Sequence, residues 1–131
     1  IKFAAFHTDT ISRLLMNCSS LEEAKLTNIE TMVSGCFYGC TSLKKVDIGE
    51  KLASIDGNTF YNCSSLEALI IRKTTLCKLS STTAFNGSLI NSGRGYIYVP
   101  KALLTEYQAA TNWVRLKNQF RSIEDYPEIC G

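Results

Sequence analysis

Proline is scarce in this 131-residue chain, with two residues, and histidine and tryptophan occur once each. Charge of one sign is missing as well: 14 Lys and Arg stand against 12 Asp and Glu, a formal net of +2. That balance lacks the strong positive field that nucleic-acid binding needs. No apolar run approaches the roughly 18 residues of a membrane span. The chain begins Ile1-Lys2-Phe3, with neither Met nor a charged-then-apolar leader. The expectation is a signal peptide absent or already removed, and a mature portion or a piece of something longer. What is present is core-forming material. With 45% hydrophobic and 20% charged residues at this length, disorder is excluded and one domain is expected.

The chain repeats itself. Cys18-Ser19-Ser20-Leu21, Cys40-Thr41-Ser42-Leu43 and Cys63-Ser64-Ser65-Leu66 lie 22 and 23 residues apart. An apolar triplet follows each: Leu21/Ala24/Leu26, Leu43/Val46/Ile48 and Leu66/Leu69/Ile71. Three residues before each Cys stands Leu15, Phe37 or Phe60, and further upstream an aliphatic, read as Ile11, Ile29 and Ile55. Val46-x-Ile48 and Leu69-x-Ile71 have the period of a strand with one inward face. The Phe-x-x-Cys-x-x-Leu spacing suits a tight or 3₁₀ turn with one buried edge. One such unit cannot close a core, whereas stacked units can, as a solenoid with a parallel sheet on one side.

The ends depart from this pattern. Ile1 and Phe3 fall where an inward strand pair of a degenerate first coil is expected. In a fourth unit Leu79 and Phe85 take their places but Ser88 replaces the Cys; Ile97 and Val99 then mark a last strand, alternating with Tyr96 and Tyr98. From Pro100 the spacing of Leu103, Tyr107 and Ala110 is helical, and Trp113, Leu116 and Phe120 suggest a second short helix. The predicted organisation is repeats over 1–99 in about four coils, a helical C-terminal cap over 100–123, and a tail or linker over 124–131.

The unit from Ile55 through Phe60, Cys63, Leu66 and Leu69 to Ile71 resembles the BspA-like subclass of leucine-rich repeats. Tyr96–Pro100 followed by Tyr107 and Thr111-Asn112-Trp113 is similar to the C-terminal cap that often ends such arrays in gut-bacterial proteins. The resemblance implies a leucine-rich-repeat solenoid of the α/β repeat type, with a short parallel sheet on one face and turns or short helices on the other. It implies a non-catalytic binding module of a secreted or cell-surface protein, acting in adhesion or protein recognition with a host or other cell-surface protein as partner. The alternative is a structural spacer or cap in a multidomain surface protein whose other domains carry the activity. No cofactor and no enzyme activity are expected.

The chemistry-bearing residues add little to that. A zinc site wants two close Cys pairs, or Cys with His, and only Cys36 and Cys40 are close, with His7 the sole imidazole. A disulfide framework is an option in a secreted protein, but Cys18, Cys40 and Cys63 occupy repeated inward positions whose parallel side-chain vectors disfavour a bond, so buried free thiols are expected. Cys36 and Cys77 lie off the repeat register, and Cys130 in the tail is expected to be exposed and reactive. His7 reads as a surface residue rather than a catalytic one, since no orienting partner is evident.

The face most able to bind is the outward side of the sheet. Glu23 and Lys25, Lys45 and Asp47, and Ala68 and Ile70 are expected there on successive strands, with Glu23 beside Lys45 and Lys25 beside Asp47 neutralising one another. Ile70, Tyr96 and Tyr98 then form an apolar patch, in which the tyrosines either pack over Ile70 and the cap or, since tyrosine suits a binding anchor, meet a partner. The candidate binding residues are Ile70, Tyr96 and Tyr98, with Glu23, Lys25, Lys45 and Asp47 secondary. No metal-binding residue is predicted.

Overall fold

Alternation of buried and outward residues over short stretches builds the sheets of this protein, seen in a computed structural model that describes residues 2–6, 10–11 and 15–131, with the backbone alone at 6, 10 and 11. In chain order the strands are β1 (Phe3–Phe6), β2 (Thr10–Ile11), β3 (Glu23–Leu26), β4 (Thr31–Met32), β5 (Lys45–Ile48), β6 (Ser54–Ile55), β7 (Ala68–Ile71), β8 (Lys78–Leu79), β9 (Tyr96–Val99) and β10 (Phe120–Ser122). The main sheet is parallel, in the order β1-β3-β5-β7-β9-β10. On the other side, β2 pairs with β4 and β6 with β8, again in parallel. A parallel sheet with few helices fits a repeat α/β fold.

Each inward residue meets its equivalent one unit on. Ala24, Val46, Leu69 and Ile97 form one buried row across the strands, and Leu26, Ile48 and Ile71 a second. Behind the sheet, Phe37, Phe60 and Phe85 stack with centroids 5.6 and 5.5 Å apart, and Trp113 continues the ladder at 5.9 Å from Phe85. Tyr38 and Tyr61 form a parallel stack nearer the surface at 5.0 Å. The turn before each repeated Cys, and before Ser88 in the same place, needs a left-handed residue, and Asn17, Gly39, Asn62 and Gly87 supply it. At Gly39 a Cβ would also run into the Asn17 side chain of the preceding unit.

After Pro100 come a 3₁₀ turn (Lys101–Leu103), the helix α1 (Leu104–Ala109) and further 3₁₀ turns over Trp113–Gln119. Their anchors are Tyr107 and Trp113, both fully buried. The Cys77 amide donates to Tyr107 Oη and the Trp113 indole N–H donates to the Cys77 carbonyl, each at 2.8 Å. Cys77, unplaced by the repeat register, is thus the backbone point that these rings hold. Phe120 lies not in a helix but in β10, which extends the sheet beside β9.

Three expectations need correction. Phe3 stands opposite Glu23 on the outward face and is 56% exposed, while Ala4, opposite Ala24, takes the inward register; Ile1 lies outside the described residues. The partner of Ile11 across the small sheet is Met32, not Ile29. Ile29 is buried three residues earlier, as Leu52 is before Ile55. Residues 124–131 are no loose tail: a 3₁₀ turn (Ile123–Asp125) and the short helix α2 (Pro127–Cys130) fold back onto the sheet, with Pro127 in the first turn where its missing N–H costs nothing.

Phe60 has a stacked ring on each side, so truncating it opens a cavity in the middle of the ladder. Phe60→Ala is expected to lower unfolding stability in urea by about 3–5 kcal/mol. Phe60→Leu, which keeps most of the volume, is expected to cost visibly less; equal losses would show that ring stacking and filled volume are not what holds the units together.

Candidate functional site

Strand alternation sends two rows of side chains away from the core, and the sheet register lines them up. One row reads Phe3, Glu23, Lys45, Ala68, Tyr96; the other reads Ala5, Lys25, Asp47, Ile70, Tyr98, Arg121. All seven residues singled out from the sequence therefore lie on one face, in adjacent columns. Their environments differ sharply.

The C-terminal segment occupies the middle of that face. Tyr126, Ile129 and Cys130 pack on Ala68, Ile70 and Tyr98, with the Tyr126 ring edge-on to Tyr98 at 5.5 Å. Lys45 Nζ donates to the Ile129 carbonyl at 2.6 Å, and Arg72 Nη2 donates to the Cys130 carbonyl. At the near end, Ser122 Oγ accepts from the Asp125 amide at 3.3 Å and donates to Asp125 Oδ2 at 2.7 Å, which turns the chain back over the sheet. Ile70 is consequently 0% exposed and Tyr98 3%, so neither is open to a partner in this arrangement. Burial also pushes the Tyr98 hydroxyl above its ordinary pKa, with the Cys130 and Tyr126 side chains adding to the shift. Cys130, expected to be exposed, is buried at 4% for the same reason.

The charged residues pair differently from expectation too. Among the described residues Glu23 and Lys45 form no ion pair, nor do Lys25 and Asp47. Asp47 instead takes a two-pronged contact from Arg72, Nε to Oδ1 at 2.8 Å and Nη2 to Oδ2 at 3.0 Å. That hydrogen bonding raises the Arg72 pKa, and a bidentate guanidinium–carboxylate pair holds its geometry better than Lys would. Arg72 was missed in the sequence, although continuing the outward alternation one step from Ile70 reaches it. Glu23 and Lys25 remain exposed, while Lys45, Asp47 and Tyr96 are half-buried, Tyr96 with the Arg121 guanidinium 4.5 Å from its ring centre. Beside the C-terminal segment the face leaves a groove of about 570 Å³ walled by Phe3, Glu23, Lys25, Asp47 and Arg72.

The profile described as BspA type Leucine rich repeat region matches residues 3–93 in 6 copies, and the chain belongs to that family. No curated protein gives a significant match. Repeats of this family are generally protein-interaction modules rather than catalytic ones. No helix among the described residues is long and apolar enough to cross a membrane.

Five of the six thiols are buried as core residues are, whereas Cys18, expected to be buried like Cys40 and Cys63, is half-buried at the first unit. None of the six cysteines is disulfide-bonded, and among the described residues no group of three or more His, Cys, Asp or Glu is placed to hold a metal ion. Cys40 Sγ donates to the Leu15 carbonyl at 3.0 Å and Cys63 Sγ to the Phe37 carbonyl at 3.1 Å, each reaching the unit before. Ser88, in the same place, donates instead to Phe85 of its own turn at 2.7 Å. Burial pushes the Cys36, Cys63 and Cys77 thiols up to about 12 and Cys40 up to about 11. A nucleophile needs the thiolate, which these sites disfavour. His7 lies outside the described residues.

Because the folded thiols titrate above their ordinary value of 9.0, the neutral form they stabilise is whole below pH 9. Stability is then lost as pH rises from 9 toward about 12, at up to roughly 1.4 kcal/mol per pH unit for each of Cys36, Cys63 and Cys77. Urea midpoints at pH 8, 9 and 10 are expected to fall more across the upper interval than across the lower, and less steeply in Cys63→Ala. An equal slope in the variant would show that the thiol is not the titrating group.

Proposed function

We propose that the chain is a leucine-rich-repeat solenoid, closed at its C-terminal end by the helical segment 100–123, that serves as a non-catalytic binding module of a cell-surface or secreted bacterial protein. Its role is adhesion or other protein–protein recognition, and its partner is a host or other cell-surface protein. The observation that carries this reading is the outward sheet face. There the strands hold Glu23, Lys25, Lys45 and Asp47 at fixed spacing around a groove of about 570 Å³, with both charge signs present, and Tyr96 lines an adjacent one of about 420 Å³. Mixed charge on a rigid scaffold selects a partner by complementarity and register rather than by bulk attraction. The face is small, so useful affinity calls for multivalent display or more repeats. Ile70 and Tyr98 belong to this surface only when the C-terminal segment is displaced.

The test is capture of extracellular proteins by the immobilised domain, followed by substitution on the face. Tyr96→Ala and the pair Glu23→Ala/Lys25→Ala are expected to weaken a captured partner about tenfold or more, the effect of losing roughly 1.4 kcal/mol or more at an anchor, while circular dichroism stays unchanged. Unaltered binding by the folded variants would remove this face from consideration.

A spacer or cap within a multidomain surface protein is the second reading. The apolar rim of the first unit favours it: Phe3 is exposed, and Ala4, Leu15, Cys18 and Leu21 line an open groove of about 540 Å³. Partner binding confined to a neighbouring domain of the parent protein would establish that reading over the first.

A further inference from the structure

The outward face already holds a short peptide, and that peptide is part of the same chain. Tyr126, Ile129 and Cys130 stand at helical spacing, and their side chains cover Ala68, Ile70 and Tyr98. Opposite them, Lys45 and Arg72 donate to the carbonyls of Ile129 and Cys130, the last two of α2. Carbonyls at the C-terminal end of a helical turn lack partners within it and carry the negative end of its dipole, so two cations there are matched to their ligand. An apolar floor with donors aimed at a turn's end is the arrangement by which grooves take helical peptides. The small cluster beneath α2 is separate from the main core of the repeats. The phenylalanine ladder, the inward rows and the Trp113 anchor all belong to that main core, on the opposite face of the sheet from the segment, so the segment can leave without opening the core.

We infer that this groove is a peptide-binding site whose ligand is a short helical turn with an aromatic or aliphatic residue at one position and aliphatic ones three and four further on, ending in open carbonyls, and that residues 126–131 fill it as an internal self-ligand. This rests on the protein-binding reading and adds to it the class of partner and a means of control. A tethered segment competes at an effective concentration on the order of millimolar, which excludes weak peptides. The apparent affinity for an outside peptide is the intrinsic one reduced by the fraction of molecules with the face open. Adjacent volume of about 420 Å³, lined by Lys44, Glu67, Arg94 and Tyr96 among others, gives a longer ligand further contacts.

The experiment uses the full chain and a fluorescein-labelled synthetic peptide of residues 123–131 under reducing conditions. Ile129→Glu places a charge on the apolar patch and is expected to release the segment. Cys130 should then alkylate at least tenfold faster than in the wild type, while Cys63 stays protected and circular dichroism is unchanged. The same variant is expected to bind the peptide at least tenfold more tightly than the wild type does, and adding Arg72→Ala should remove that gain. Tyr126→Ala is the second opening variant, so that misfolding of the first does not decide the matter. A folded variant with Cys130 exposed and no peptide binding at millimolar concentration overturns the inference. So does Cys130 labelling that rises only together with Cys63 labelling in both variants, since the segment would then be an integral part of the core. A protein partner captured equally by wild type and Ile129→Glu, and indifferent to the peptide, would leave the protein-binding reading standing and sink this one alone.

Discussion

A stack of short turns stays closed only if each turn brings the same side chains to the same height as the turn before it. Every other feature of this molecule follows from that matching. The parallel register sets the inward rows on the sheet side, and the phenylalanine ladder sets them on the other, at 5.6 and 5.5 Å between rings. Between these two layers, Cys40 and Cys63 each reach back to a carbonyl of the preceding unit. A hydroxyl cannot be buried here without a partner, and Ser88 finds one inside its own turn. A thiol is apolar enough to join the core and still donates weakly, which accounts for cysteine at these repeated positions.

The same matching makes the outward face. Once Val46 and Ile48 point in, Lys45 and Asp47 must point out, and their neighbours on the adjoining strands are settled with them. The repeats alone would leave Ile70 and Tyr98 in water. The chain resolves this by bringing Tyr126, Ile129 and Cys130 onto them, and Lys45 and Arg72 clamp the arriving backbone. Asp47 is drawn into this arrangement through Arg72 and is thereby taken from the cross-strand partner that spacing alone assigns to it.

The sequence made the repeating part plain because identical residues recur at identical heights: the inward triplets, the Phe and Cys positions, the last strand at Ile97 and Val99, and the outward columns all stand where their spacing puts them. Where the signal was short or ambiguous, the reading slipped. Phe3-Ala4-Ala5-Phe6 is apolar on both faces, so alternation cannot choose a register. Strand β4 has two residues and one buried side chain, too little for a period, and Ile29 stood in for Met32. The C-terminal octet was read by its position in the chain, when the spacing of Tyr126, Ile129 and Cys130 already described an apolar face. Its docking also depends on Arg72, more than fifty residues away, and no local pattern encodes that meeting.

At Cys40 and Cys63 one turn is joined to the turn before by a single weak donor rather than a covalent tie. Cohesion along the stack is therefore the sum of many small contacts between nearest neighbours, so a misfit at one level loosens the turns on either side before it reaches the rest.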